Sequence, residues 1–592
     1  MQRAEQLLRA FAFFLRRRIV WYGWRITRRP LTVETPPLNS ELAAPAVVPP
    51  DARGPFFRWL DRNFLDLGRQ MRVTYLPPLM VYLAAGVSGL TTIVGTFFVK
   101  EYLGLSAEFL AALGFWAMIP WALKVSIGHL VDLIWKHKAG LVYLGAALIA
   151  ASLLIMIGLI TDPAAMRRFA TAEAWFVLST LLAPVGYVLQ DCVADAMTVE
   201  AVPRVDAQGQ PLAEEQIRLG HTTMQTLGRV AIIGGTVLVS AANVILFRGA
   251  EAMTQAQTAA TYLKIYELAL VIPLMSVFGV ALASYLRRHQ AVRLRRQGMD
   301  RARIQQALAV PHDPPHANWW YLGGGLAFAL FTIAIGLSNV PYSEEIVFAG
   351  SLGIVMFLMW RLLKDLQQVA RHTLVGTALL IFVFRAIPNT GAGSTWWMID
   401  VLHFDQQFIS VLSLIASGLT LAGMFALRRF MADHSIAYII GFLTVAGAVL
   451  ALPNIAMYYG FHEWTAAHTH GVVDARFIAL ANTALESPLG QIAMIPMLAW
   501  IANSAPSQLK ATYFAVMASF TNLALSLSQL LTKYVNQIFV VTREVRDPVT
   551  HAITLPADYS QMGKLFIVVT LIGLIAPMLA IVFVRFSRFK SE

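Results

Sequence analysis

An all-α polytopic membrane protein is the predicted fold class, and three observations predict it. Of 592 residues, 57% are hydrophobic and only 14% are charged, whereas soluble domains carry about 25% charged residues. Apolar runs recur along the chain at membrane-spanning length, and a helix needs about 20 such residues to cross a bilayer. The net charge of +12 sits in a tail and in the connections between runs, as membrane topology demands, so it does not indicate nucleic acid. The single cysteine, Cys192, leaves no disulfide framework and no cysteine-based metal site.

Residues 1–75 read as a basic cytoplasmic tail and linker. Arg16, Arg17, Arg18 and Arg25 interleave with Phe11, Phe13, Phe14, Trp21 and Trp24, the pattern of an interfacial helix on an anionic leaflet. The apolar run before Arg16 is too short for a cleavable signal peptide. Six spans follow, at 78–98, 107–129, 139–160, 173–199, 219–246 and 263–286. A basic connection with Arg287, Arg288, Arg293, Arg295, Arg296, Arg301 and Arg303 comes next. Two spans at 319–338 and 346–363 precede a last six at 373–395, 406–427, 435–456, 474–502, 510–540 and 563–585. With fourteen spans and both termini inside, Lys136, Lys138, the arginine-rich connection, Lys364, Arg371, Arg428, Arg429, Lys510 and Arg588 all fall on the cytoplasmic side, in keeping with the positive-inside rule.

An internal repeat locates the halves. Phe97 to Phe109 parallels Trp396 to Phe408, each an aromatic helix end, an acid, a short loop and a Phe opening the next helix. The boundaries are then 76–286 for the first six-helix bundle, 287–371 for the basic linker and two inserted helices, and 372–592 for the second bundle. Parallel six-helix halves joined this way are the architecture of major facilitator transporters.

Chemistry concentrates in rare polar residues within the spans. Asp191 and Asp195 lie one turn apart on one face of the fourth span. A carboxylate at the centre of a membrane helix costs about 2.5–3.5 kcal/mol even on insertion scales, so both are expected to face a polar interior and to couple proton movement. With the twelve bundle spans numbered apart from the inserted pair, Arg229 and Gln225 share a face of the fifth, and Arg385 stands three residues before Pro388 in the seventh. Glu486 and Asn482 share a face of the tenth. These five are the expected substrate-binding residues, with an ion pair from Arg229 to Asp191 or Asp195 as the competing reading. Gly128 and Asp132 end the second span before Lys136 and Lys138; with Lys124 they form an expected conformational latch, the glycine for close helix approach and the acid for a helix terminus or cation. His462, Glu463, His468 and His470 lack the spacing of a zinc site and read as a solvated loop. No phosphate-binding Gly-rich loop with Lys-Ser/Thr is present in the sequence.

Longer motifs carry a resemblance. Pro120-Trp121-Ala-Leu-Lys124 with Gly128 and Asp132, Gln190-Asp191-Cys-Val-Ala-Asp195-Ala196, Pro488-Leu-Gly490 through Pro496, and Ala511-Thr-Tyr-Phe-Ala515 with Asn522 resemble spans two, four, ten and eleven of the folate–biopterin transporter family. Val125 stands where that family usually has proline, and Lys136-His137-Lys138 is a reduced basic cluster. The two-span insertion and the Gln-Asp-x-x-x-Asp-Ala pattern also resemble muropeptide permeases of the same superfamily. The resemblance implies a secondary active transporter, not an enzyme, with no cofactor. It implies a monomer in a bacterial inner membrane that moves a folate- or pterin-like anionic solute with protons by alternating access. A muropeptide-type importer, or a receptor or assembly factor built on a transporter fold, are the alternatives.

Overall fold

The computed structural model describes residues 71–592 apart from 104, 204–211, 251–252, 302–303, 305–318, 339, 365–367, 491, 493–509, 547–552 and 590–592. Residues 1–70 of the basic tail lie outside the described residues, as does Arg303, and the first helix already starts at Val73. Fifteen principal helical segments build the fold. The first bundle comprises α1 (Val73–Lys100), α2 (Ala107–Leu133), α3 (Ala139–Thr161), α4 (Ala172–Ala201), α5 (Glu214–Leu246) and α6 (Ala256–Arg296). The inserted pair is α7 (Trp319–Leu337) and α8 (Ser343–Leu363). The second bundle comprises α9 (Gln368–Arg385), α10 (Ala392–Asp400), α11 (Gln406–Ala426), α12 (Ile436–Tyr458), α13 (Ala475–Glu486), α14 (Lys510–Ile538) and α15 (Met562–Phe586). A two-stranded antiparallel hairpin, β1 (Val545–Arg546) and β2 (Ile553–Leu555), lies between α14 and α15.

Eleven helices among the described residues are long and apolar enough to cross a membrane. The other three expected spans depart from that pattern for distinct reasons. The seventh is broken, its two helices separated at Pro388 to Gly391. The tenth is helical over Ala475–Glu486 and then leaves the described residues. The eleventh, α14, is polar along its length. Its Ser519, Thr521, Ser526, Ser528, Thr532 and Asn536 are all buried, so this helix faces protein more than lipid. The basic connection also differs from expectation at its start. Helix α6 continues to Arg296 and carries Arg287, Arg288, Arg293, Arg295 and Arg296 as an exposed extension. Hydropathy marks the apolar stretch, whereas Arg, Leu and Ala sustain the helix beyond it, and arginines in the last turn suit its negative end.

The repeat is visible in local structure. Ser106 accepts a hydrogen bond from the Phe109 amide at 3.1 Å, and Asp405 accepts one from the Phe408 amide at 3.2 Å. These are equivalent positions of the two aligned segments, and each caps the second helix of its half.

Helix α2 packs along α14 and α5 along α11, so two seams join the halves. At the end of the bundle marked by Lys100, the halves are bonded directly. Lys100 pairs with Asp400 at 2.6 Å, and Tyr559 donates to Asp400 at 2.5 Å. Buried Arg543 donates to the carbonyls of Val99 (2.7 Å) and Lys100 at the close of α1, with its guanidinium over the Trp396 ring. Gln537 donates to Glu108 at 2.5 Å, and Gln407 accepts from the Gly249 amide at 3.0 Å. At the opposite end, Glu200 accepts from Lys138 at 2.7 Å and from Arg287 at 2.9 Å, ties made within the first half.

Candidate functional site

The fourth span, α4, is fixed before its acids are considered. Gly145 and Gly186 let α3 and α4 touch backbone to backbone: a Cβ on either would lie 2.6 Å from the other's carbonyl oxygen. Gln190 of the family motif is 2% exposed and accepts from Ser276 of α6 at 2.9 Å. Its amide donates to the Val142 carbonyl at 3.4 Å. The residue beside the acid is therefore a three-helix tie that sets the rotation of α4.

That rotation turns Asp191 and Asp195 toward α2, where Lys124 meets them. The Lys124 ammonium lies 2.5 Å from Asp191 and 2.9 Å from Asp195. Pro120 explains the lysine's placement. A proline within a helix forfeits one backbone donor and bends the axis. Here Leu123 closes a tight turn onto the Pro120 carbonyl at 3.1 Å, and a new helical stretch starts at Lys124. Tyr82 of α1 completes the cluster by donating to Asp195 at 2.6 Å. Asp191 is the more enclosed acid, with 19% of its side chain exposed against 42% for Asp195. Two carboxylates therefore share one ammonium.

Arg229 does not pair with either acid among the described residues; Lys124 occupies that role. The guanidinium stands within electrostatic range of Asp191, of Tyr82 and of Arg385. Arg385 is the last residue of α9, so one cation from each half approaches the other. Gln225 donates to Thr198 of α4 at 3.4 Å, and Thr198 bonds the Asp195 carbonyl at 2.7 Å. Asn482 is buried with its Oδ1 unpartnered among the described residues. Glu486 is exposed at the close of α13, and neither residue bonds to the Lys124 cluster.

The break after α9 is built from side chains of α14. Ser528 donates to the Ile387 carbonyl at 2.6 Å, and Thr532 accepts from the Asn389 amide at 3.0 Å. Gly391, at φ +68°, presses on Asn536, whose amide would lie 2.8 Å from an added Cβ. Two backbone groups left by the break are thus satisfied within the protein, as an unwound membrane segment requires.

The latch residues separate. Lys124 belongs to the carboxylate cluster, while Gly128 and Asp132 lie farther along α2. Gly128 is not a close-approach site, since a Cβ there would meet nothing within 4 Å. Close approaches fall instead at sites such as Gly145 with Gly186, Gly86 with Ile232, and Gly423 with Pro488. His462 and His468 bond the carbonyls of Met457 and Trp464 through Nδ1. Sequence reading missed Tyr82, because a tyrosine in an apolar run carries no signal of its partner.

Comparison with known proteins places this geometry. A folate-biopterin transporter of Synechocystis sp. is 23% identical over 473 residues, covering 79% of this chain and 76% of that protein. A POT family transporter solved in complex with 5-aminolevulinic acid has a TM-score of 0.57 at 12% identity, over 88% of this chain and 96% of the other. A peptide transporter POT in complex with alafosfalin has a TM-score of 0.54 at 13% identity, over 88% and 94%. At these identities the two structures show the fold alone, that of major facilitator transporters. The profile of the BT1 family matches residues 85–589, nearly the whole described region. The chain belongs to the BT1 family and is a membrane transporter.

Proposed function

We propose that this transporter moves an anionic organic solute of the folate or pterin type, coupled to protons, by alternating access. The observation that carries this reading is the cluster in which Lys124 holds Asp191 and Asp195, with Arg229 beside it and Arg385 of the other half beside Arg229. Two guanidiniums that repel each other are stabilised by an anion placed between them, and a planar fork suits a carboxylate. An anion held there draws Arg229 away from Asp191 and so favours a proton on the acids, which couples binding to protonation. The name of the Synechocystis relative supports the solute class. Both termini face the cytoplasm in this reading, with bundles at 76–286 and 372–592.

Uptake into proteoliposomes with and without an inward pH gradient tests it, using folate, a pterin and an uncharged control. Asp191→Asn and Asp195→Asn are each expected to abolish gradient-driven accumulation, with at least one retaining solute exchange. Normal pH-driven accumulation by both folded variants overturns the coupling role. Uptake of the uncharged control in preference to either anion overturns the solute class.

A further inference from the structure

The inserted hairpin has no role in the function proposed above, yet it is bonded to both halves of the transporter. Helix α7 packs on the Lys124–Leu133 part of α2, and α8 packs on α14 and on the Ala107–Ala122 part of α2. One apolar core joins Phe115 and Ile119 of α2, Phe328 of α7, Val347 of α8 and Val516 of α14. The turn between the inserted helices brings two acids into the seam. Glu344 accepts from the Trp116 indole of α2 at 3.2 Å and pairs with Lys533 of α14 at 3.3 Å. Glu345 pairs with the same lysine at 3.4 Å and accepts from Tyr534. Gly336 lies against the other side of the Trp116 ring, where an added Cβ would be 3.1 Å away. Tyr342, which precedes α8, adopts φ +62° and ψ +35°. That backbone is disfavoured for a bulky residue and persists only where its surroundings enforce it.

We propose that α7 and α8 form a state-dependent clamp, in which Glu344 fastens α2 to α14 while the Lys100 end is closed. The Trp116–Glu344 hydrogen bond is the contact given up when that end opens. The unequal chemistry of the two attachments decides which one yields. On the α14 side one ammonium faces two carboxylates and a tyrosine bonds one of them, the three charged side chains being no more than 26% exposed. Separating those charges in apolar surroundings is costly. On the α2 side the attachment is apolar packing of α7 and α8 plus one neutral indole N–H, which cost less to shear than charges cost to separate. The hairpin therefore travels with the second half, and α2 slides past it. This rests on the alternating-access reading but not on proton coupling or solute identity.

The experiment places spin labels at Leu105→Cys and His403→Cys, one on each half at the Lys100 end, in a Cys192→Ser background. Distances are measured by pulsed electron resonance in nanodiscs, with and without folate and at two pH values. Trp116→Phe keeps an aromatic ring but removes the N–H donor together with the five-membered ring, so the long-distance population is expected to rise about tenfold relative to the closed one, the scale of losing one hydrogen bond to a charged acceptor. Lys533→Met breaks contacts kept in both states, so it is expected to lower the melting temperature without shifting the distances. Unchanged distances in Trp116→Phe overturn the clamp. So does a Lys533→Met variant that shifts populations as much as Trp116→Phe does. If Lys533→Met fails to fold, the Trp116→Phe result decides alone. A parent protein that shows one distance under every condition overturns alternating access itself, and the clamp with it.

Discussion

Lys124→Met tests the centre of the bundle most directly. The substitution preserves length and apolar stem and removes only the ammonium. In the parent protein that ammonium meets Asp191 at 2.5 Å and Asp195 at 2.9 Å, and 15% of the lysine side chain is exposed. Removing one partner of an enclosed ion pair costs about 3–5 kcal/mol, because the remaining charge keeps its desolvation penalty and loses its compensation. Asp191→Asn leaves Lys124 paired with Asp195 and forfeits one charge-assisted contact, a loss of about 1.5–3 kcal/mol. Asp195 is 42% exposed, so water screens its pairing and Asp195→Asn is expected to cost least, about 1 kcal/mol or below. The expected order of destabilisation is Lys124→Met, then Asp191→Asn, then Asp195→Asn, measured by reversible unfolding in mixed micelles. The triple variant that neutralises all three is expected to recover much of the loss. A Lys124→Met protein no less stable than Asp195→Asn, or a triple variant as unstable as Lys124→Met, refutes the idea that the lysine's function here is charge compensation.

Three further outcomes are expected. Gly186→Ala places a methyl 2.6 Å from the Gly145 carbonyl oxygen, and overpacking of that kind costs about 1–3 kcal/mol; a lower melting temperature with unchanged solute affinity is the measurement. Burial, and then the hydrogen bond to Asp400, hold the Tyr559 phenol well above its usual range. A group raised on folding contributes stability that is complete below its unfolded value of about 10 and fades only as pH climbs past it. The Leu105–His403 distance should therefore not respond to pH between about 6 and 9 through this group, and a Tyr559→Phe variant that creates or removes a pH response in that window contradicts it. Asp132→Asn is expected to change the balance between inward- and outward-open states more than solute affinity, and a pure loss of binding with unaltered accessibility at both ends counts against a latch there.

Much of the bundle could be read from residues alone because membrane constraints are severe. Span positions follow from apolar length, and the offset repeat foretold that Ser106 and Asp405 occupy equivalent helix starts. The shared face of Asp191 and Asp195 followed from helical periodicity, and the helix of Arg385 proves to end just before the Pro388 noted beside it. Tertiary partners were harder to read. Lys124 and Asp191 are separated by 67 positions, and motif spacing groups the lysine with its neighbours Gly128 and Asp132 instead. Glu344 and Glu345 fall just before the expected span at 346–363, and nothing local signals a lysine and a tryptophan at 533 and 116. Helix α6 outlasts its apolar stretch because hydropathy reports solvent preference and not where backbone bonding stops.

The broken seventh span binds three distant positions into one mutational unit. Ser528 and Thr532 hold the Ile387 carbonyl and the Asn389 amide, groups that an unbroken helix would bond for itself. Replacing Pro388 with a helix-former would leave the two hydroxyls redundant. Replacing the hydroxyls with apolar residues while the proline stays would leave those two backbone groups without their side-chain partners. A drifting sequence can therefore cross from one arrangement to the other only by coordinated exchange. Protein engineers who alter α14 for stability will find that they have edited the neighbourhood of Arg385 without touching it.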